Sequence, residues 1–443
     1  MRLTHSFTIW ALLAISTPAF AAAIDSRAYV ERAGELIQAG RHALARSYLE
    51  PALIDFRLNA GERSKAYYLR GYSFYDQGMY VSALKDYNRA LEFFPGNPVV
   101  LTAVAQLHLE GLGVDQNPLL GAAFLEQAAG AGHAPAAMRL GAAYLSGRGV
   151  DRDVPTARRW LTQAAQAGLA PAMVFLAQSY RAPFAEPPQP DEARAWYQKA
   201  HEAGARDALA YLGFMTETGE GGAADPEAAR ALFTEAAAAG SAVAQAKLGH
   251  LYLTGEGVGT DPERAHALFL EAAEQGHPTA LMGLAYLYDS GTGVKADRGE
   301  ALRWYEKAAL AGVLDAQLRL AYQALAEDNL DGARRAEGWL ARAAAQNSPR
   351  AINDYAWLLA TSPFDEVRNG PQAVTLAMQA VGRERSPSYL DTLAAAYAET
   401  GKFDRAVATQ REALKMADPE NAELVGELRA HLDAFEAGKP WRE

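Results

Sequence analysis

Ser82 and Lys85 stand at the Ser-x-x-Lys spacing by which a lysine activates a serine in penicillin-binding enzymes. No Lys-Thr-Gly accompanies them, and both fall in a helical pattern, so the match reads as coincidence. Nine histidines raise the question of a metal. His133 and His277 share one repeat position and are distant copies of one structural residue, while His42, His108, His201, His250, His266 and His431 keep no ligand spacing. There is no cysteine, which removes thiolate catalysis, cysteine zinc sites, disulfides and a lipid-modified N-terminal cysteine. His-Glu-x-x-His and Gly-x-x-x-x-Gly-Lys-Ser/Thr are both missing. No catalytic residue, metal or cofactor is expected.

Recognition chemistry is better represented. Phe175, Tyr211, Phe214, Tyr286 and Tyr322 are large rings interleaved with Arg139, Gln178, Lys247, His250 and Arg319. Rings beside cations and amides are the composition of binding hot spots. These ten residues fall into two columns. One reads Arg139, Phe175, Tyr211, Lys247, Gly283, Arg319; the other reads Gln106, Ala142, Gln178, Phe214, His250, Tyr286, Tyr322.

The spacing within each column is that of a glycine returning every 36 residues: Gly132, Gly168, Gly204, Gly240, Gly276, Gly312. Such a period means stacked units, each too small to bury a core alone. In one unit Ala136, Leu140, Gly141 and Tyr144 share a face of a first helix, A. Gly147 and Gly149 end it, and the same Gly-x-Gly recurs at 111/113, 219/221, 255/257 and 291/293. A second helix, B, starts after a cap column of Asn117, Asp153, Asp225, Asp261 and Asp297. Proline follows the cap at Pro118, Pro190, Pro226 and Pro262. Tyr144, Tyr180, Tyr252, Tyr288, Trp160, Trp196 and Trp304 read as core. Columns 139 and 142 lie on the side of helix A away from its own helix B, with packing between neighbouring A helices as the plainer reading. In the third unit Pro183–Pro190 replaces the Gly-x-Gly, either as loop variation or as a rigid polyproline-like tab for a partner.

The row A-x-x-x-L-G-x-x-Y-x-x-G-x-G-V…A-x-x-W-Y/L-x-x-A-A-x-x-G-H resembles the Sel1-like repeat family, down to Gly132-His133 and Gly276-His277. Residues 64–97 (Tyr67, Gly71, Phe74, Gly78, Ala83, Tyr87, Ala90, Pro95) are similar to the related tetratricopeptide repeat. The resemblance implies an all-α, right-handed α/α superhelical solenoid of about eleven hairpins. Its expected divisions are a signal peptide at 1–21, tetratricopeptide repeats at 22–98, seven Sel1-like repeats at 99–348, tetratricopeptide-like repeats at 349–421, and a capping helix and tail at 422–443.

The signal-peptide expectation rests on Arg2, the apolar run Phe7–Ile15 and Ala19-Phe20-Ala21, an A-x-A cleavage pattern. A net charge of −11 without a basic stripe disfavours nucleic acid, and no later run is long enough to insert in a membrane. Together with the resemblance, this implies a non-catalytic periplasmic scaffold. Its two columns would line a concave groove for an envelope protein or an extended peptide, in exopolysaccharide secretion or envelope signalling. Nothing in the sequence sets an oligomeric state. The competing class is a peptidoglycan- or β-lactam-binding cell-wall enzyme, although the cysteines of the Sel1-like proteins linked to β-lactams are missing here. A structural spacer would leave the groove featureless.

Overall fold

The computed structural model describes residues 25–443, so the leader expected at 1–21 lies outside the described residues. These residues form helices joined by turns, with no strand among them. The chain divides into two compact units, Met1–Asp225 and Pro226–Glu443. The first holds α1 (Ser26–Gln38), α2 (His42–Ile54), α3 (Ala60–Tyr75), α4 (Tyr80–Phe93), α5 (Pro98–Glu110), α6 (Pro118–Gly130), α7 (Ala134–Ser146), α8 (Val154–Gln166), α9 (Ala170–Ser179), α10 (Pro190–Glu202) and α11 (Ala208–Thr218). The second holds α12 (Pro226–Ala238), α13 (Ala242–Thr254), α14 (Pro262–Glu274), α15 (Pro278–Ser290), α16 (Arg298–Leu310), α17 (Leu314–Leu325), α18 (Leu330–Ala344), α19 (Pro349–Thr361), α20 (Gly370–Arg383), α21 (Pro387–Glu399), α22 (Phe403–Met416) and α23 (Ala422–Glu436). Each unit is an all-α stack of helical hairpins, and from α5 to α18 the A helices carry odd numbers and the B helices even ones.

Local chemistry sets the helix ends. Asn117, Asp153, Asp261 and Asp297 accept the backbone N–H of Leu120, Thr156, Arg264 and Glu300, each cap worth about 1 kcal/mol. The 36-spaced glycines all lie in the left-handed region, from φ 78° at Gly276 to 87° at Gly204 and Gly312. Gly132 donates to the Ala129 carbonyl and His133 to that of Ala128, closing a Schellman motif that a side chain at 132 would strain. The A–B loop closes by a bond from Asp153 N–H to the Tyr144 carbonyl, repeated from Asp261 to Tyr252 and from Asp297 to Tyr288.

The Pro183–Pro190 segment keeps this closure, with Gln189 N–H bonded to the Tyr180 carbonyl. An extended polyproline tab does not form. Phe184 and Ala185 both donate to the Arg181 carbonyl in a turn, and Ala182–Pro183 and Glu186–Pro187 are cis. Arg152 reaches over from the preceding hairpin, donating to the Pro183 carbonyl at 2.8 Å and covering the Phe184 ring at 5.1 Å.

The core of each unit is a string of clusters at the junctions between hairpins. Phe269 on α14 shows how tight a junction is. It is 2 % exposed, and a Cβ on Gly249 of α13 or on Gly283 of α15 would come within 2.8 Å of its ring. Only glycine on both sides admits a ring of that size. The repeat tyrosines and tryptophans pack beside these clusters, six of the seven half-buried and Trp304 buried at 8 % exposure. Cations cover their outer faces, with Lys307 3.8 Å from the Trp304 ring and Lys199 4.2 Å from that of Trp196.

In the second unit α23 buries Leu428, His431 and Phe435. The segment after it turns back. Glu443 N–H donates to the Thr361 carbonyl at 2.9 Å, Arg442 pairs with Glu399 at 2.7 Å, and the Trp441 ring lies 4.4 Å from His431.

Candidate interaction surface

Column 139 has packing partners. Its side chains point away from their own helix B and meet the preceding B helix, fourteen residues earlier in the chain. Tyr211 stacks on the buried ring of Tyr197, at 5.3 Å and 14° between planes. The Lys247 ammonium lies 5.8 Å from the Phe233 ring, and the Arg319 guanidinium 4.5 Å from that of Tyr305. Gly283 faces Phe269, and Phe175 packs on the cluster containing Leu161. Phe175, Tyr211, Lys247 and Arg319, expected to line a concave groove, each contact the preceding B helix, Arg319 while still exposed. They sit at the joint between successive hairpins, where each residue matches the ring or leucine opposite it.

The N-terminal members of the two columns join neighbouring A helices instead. Arg139 donates to Gln106 at 2.8 Å, and Gln106 donates to the Tyr75 hydroxyl at 2.9 Å, linking α7, α5 and α3. Burial pushes the Tyr211 hydroxyl above the usual tyrosine range, against the opposing pull of a hydrogen bond with Gln178. Phe214 lies beside Tyr211 at 6.4 Å and is half-buried.

The second unit presents column 142 more openly. His250 on α13 is exposed, and Tyr286 on α15 is 51 % exposed. Tyr322 on α17 is 39 % exposed, and its hydroxyl donates to Asp354 of α19. Burial and the neighbouring Asp354 carboxylate push that hydroxyl up to about 12. Arg319 pairs with Asp289 of α15 at 2.6 Å, an exposed bridge worth at most about 1 kcal/mol.

Several cavities open among these helices, and two of them differ most in the charge of their walls. In the first unit about 180 Å³ is lined by Tyr68, Tyr72, Tyr75 and Tyr87 together with Gln106, His133 and Arg139. His133 bonds Thr102 at 3.0 Å, and burial holds the imidazole below its usual range. In the second unit about 670 Å³ lies between α17, α19, α21 and α23, with Trp357, Asp391 and His431 on its wall. The sequence reading passed over both. The usable signals were Tyr68, Tyr72 and Tyr75 on one helix face, and Asn353 and Trp357 one turn apart on another.

The enzyme-like motifs do not assemble into a site. Ser82 and Lys85 are both exposed on α4 and line neither cavity. His42 pairs with Asp76 at 2.8 Å, His266 with the Tyr288 hydroxyl at 3.2 Å, and His108 stacks on Phe124 at 5.9 Å. Among the described residues no three histidines, aspartates or glutamates gather as a metal site would require, and no helix is long and apolar enough to cross a membrane.

Comparison with known proteins rests on the same rows. The Sel1 repeat model matches six consecutive segments: 99–133, 134–169, 170–204, 206–241, 242–277 and 278–313. Tetratricopeptide repeat models match 64–97 and 387–419. A solved Sel1 repeat protein from Oxalobacter formigenes is 31 % identical over 54 % of this chain and 98 % of its own, with a TM-score of 0.42. The chain belongs to the Sel1-repeat family. This Sel1-repeat protein is also similar to a protective antigen with an SLR fold present in uropathogenic Escherichia coli strains. That likeness is 23 % in identity, covers 94 % of this chain and 92 % of the other, and has a TM-score of 0.42. The immunity protein Pa5087 from Pseudomonas aeruginosa is 22 % identical over 48 % of this chain and 81 % of its own, with a TM-score of 0.39. No curated protein matches the chain. The Sel1 matches end at 313, and the hairpin of α17 and α18 that follows lies between them and the C-terminal tetratricopeptide match. Repeat proteins of these families mediate contacts between proteins, and their scaffold is typically non-catalytic.

Proposed function

We propose that this Sel1-repeat protein is a non-catalytic periplasmic adaptor that holds another envelope protein against the A helices of its second unit. The observation that carries the reading is Tyr286, a large ring left half in solvent on a helix whose one other ring, Tyr288, is packed. A tyrosine there presents a wide apolar face and a polar tip at little entropic cost, as partner-binding rings do. His250 and Tyr322 extend the same column on the A helices to either side. The periplasmic setting rests on Arg2, Phe7–Ile15 and Ala19–Ala21 in the sequence, with cleavage after Ala21. Exopolysaccharide secretion and envelope signalling are the settings that family resemblance suggests.

The test is a photo-crosslinking residue placed in living cells at Tyr286 or, as control, at exposed Glu306 on helix B of that hairpin. The expected result is a discrete adduct with one envelope protein from position 286 only, on a chain whose mature N-terminus follows Ala21. Equal labelling from both positions, or an intact Met1 on cytosolic protein, contradicts the reading.

A further inference from the structure

The cavity of the second unit is chemically one-sided. Five carboxylate residues line it: Asp328, Asp354, Asp391, Glu427 and Glu443. No lysine or arginine is among the lining residues. Of the groups that could balance this charge, His431 is held by Asp391 at 2.8 Å. Arg350 reaches Asp354 only at 3.8 Å, from outside the lining. Burial raises the Asp354 carboxyl above its ordinary range, the response of an acid whose charge is incompletely compensated.

Two further features specify what would complete the site. Asn353 is 8 % exposed and lines the cavity, and its Oδ1 accepts no hydrogen bond. A buried acceptor without a donor is rare in a folded protein and is costly to leave so. Trp357 and Trp441 stand on the same wall, with His431 between them at 5.6 and 4.4 Å from their rings. Indole faces attract a cation and pack against the methylene stem that carries it. The volume, about 670 Å³, falls within the range of about 300–1,000 Å³ common to ligand pockets.

We propose that this cavity receives an arginine or lysine side chain from an extended segment of a protein partner. The cation balances the carboxylates, its stem lies against Trp357 and Trp441, and a backbone N–H of the same segment fills the vacant acceptor of Asn353. The proposal rests on the adaptor reading in taking a protein as the partner; Tyr322 of the same column lines this cavity, whereas Tyr286 does not.

The test is a titration of the purified full chain with fluorescein-labelled Gly-Arg-Gly-Arg-Gly, read by anisotropy, beside the glutamate counterpart Gly-Glu-Gly-Glu-Gly. The arginine peptide is expected to bind, to weaken as salt is raised, and to lose about tenfold or more in Asp354→Asn. Glu427→Gln, at an exposed position that leaves the fold alone, is expected to weaken it about threefold. Equal binding of the two peptides, or no effect of either substitution, overturns the proposal. Agmatine binding as tightly as the peptide overturns the choice of a peptide as occupant. Because the titration uses purified protein, its failure is separate from failure of the Tyr286 crosslink.

Discussion

The two cavities are opposite in charge and in how far their polar groups are satisfied. The one in the first unit has Arg139 and no carboxylate on its wall; the one in the second has five carboxylates and no lysine or arginine. In the first, the polar groups satisfy one another: Arg139 bonds Gln106, Gln106 bonds Tyr75, and Thr102 bonds His133. Tyr68 stacks on Tyr87 at 5.8 Å, so the space left is what remains between packed rings. In the second, Asn353 Oδ1 is left without a donor. One hairpin architecture thus yields a joint that is complete in itself and a hollow that lacks a complementary group.

The comparison breaks most visibly at Tyr87. It is 1 % exposed, and its ring lies where a Cβ on Gly71 would approach within 2.7 Å. Tyr87→Ala is expected to cost about 3–5 kcal/mol in urea unfolding, because a closely packed site cannot collapse around the loss. Trp357→Ala removes a larger ring from the second cavity, yet the expected cost is smaller, about 1–2 kcal/mol, since one side of that indole already faces open space. Equal losses in the two variants would show that the second cavity is packed as firmly as the first.

The repeat itself was open to reading in the sequence. Strict spacing places Gly132 and its copies at left-handed helix ends, and Asp153 and its copies at helix starts, because caps and turns are local chemistry. The fate of column 139 was not readable from one helix. A helical wheel for α11 is silent on Tyr197 of α10, fourteen residues upstream, on which Tyr211 stacks. The inter-repeat partner is found only by laying one period on the next. The return of Trp441–Glu443 to Thr361 and Glu399 has no local pattern, since Glu443 and Thr361 are 82 positions apart and Arg442 and Glu399 are 43 apart. The cavity it helps to wall escaped for the same reason.

The central claim is that column 139 holds hairpins together while Tyr286 of column 142 stands open to a partner. Tyr211→Ala and Tyr286→Ala test it most directly when melted side by side. Tyr211 is stacked on a buried ring, so its loss is expected to lower stability by about 2 kcal/mol and the melting temperature by several degrees. Tyr286 is half in solvent, so its loss is expected to change stability by no more than about 0.5 kcal/mol. Melting curves shifted by the same amount in both variants would contradict the division of the two columns.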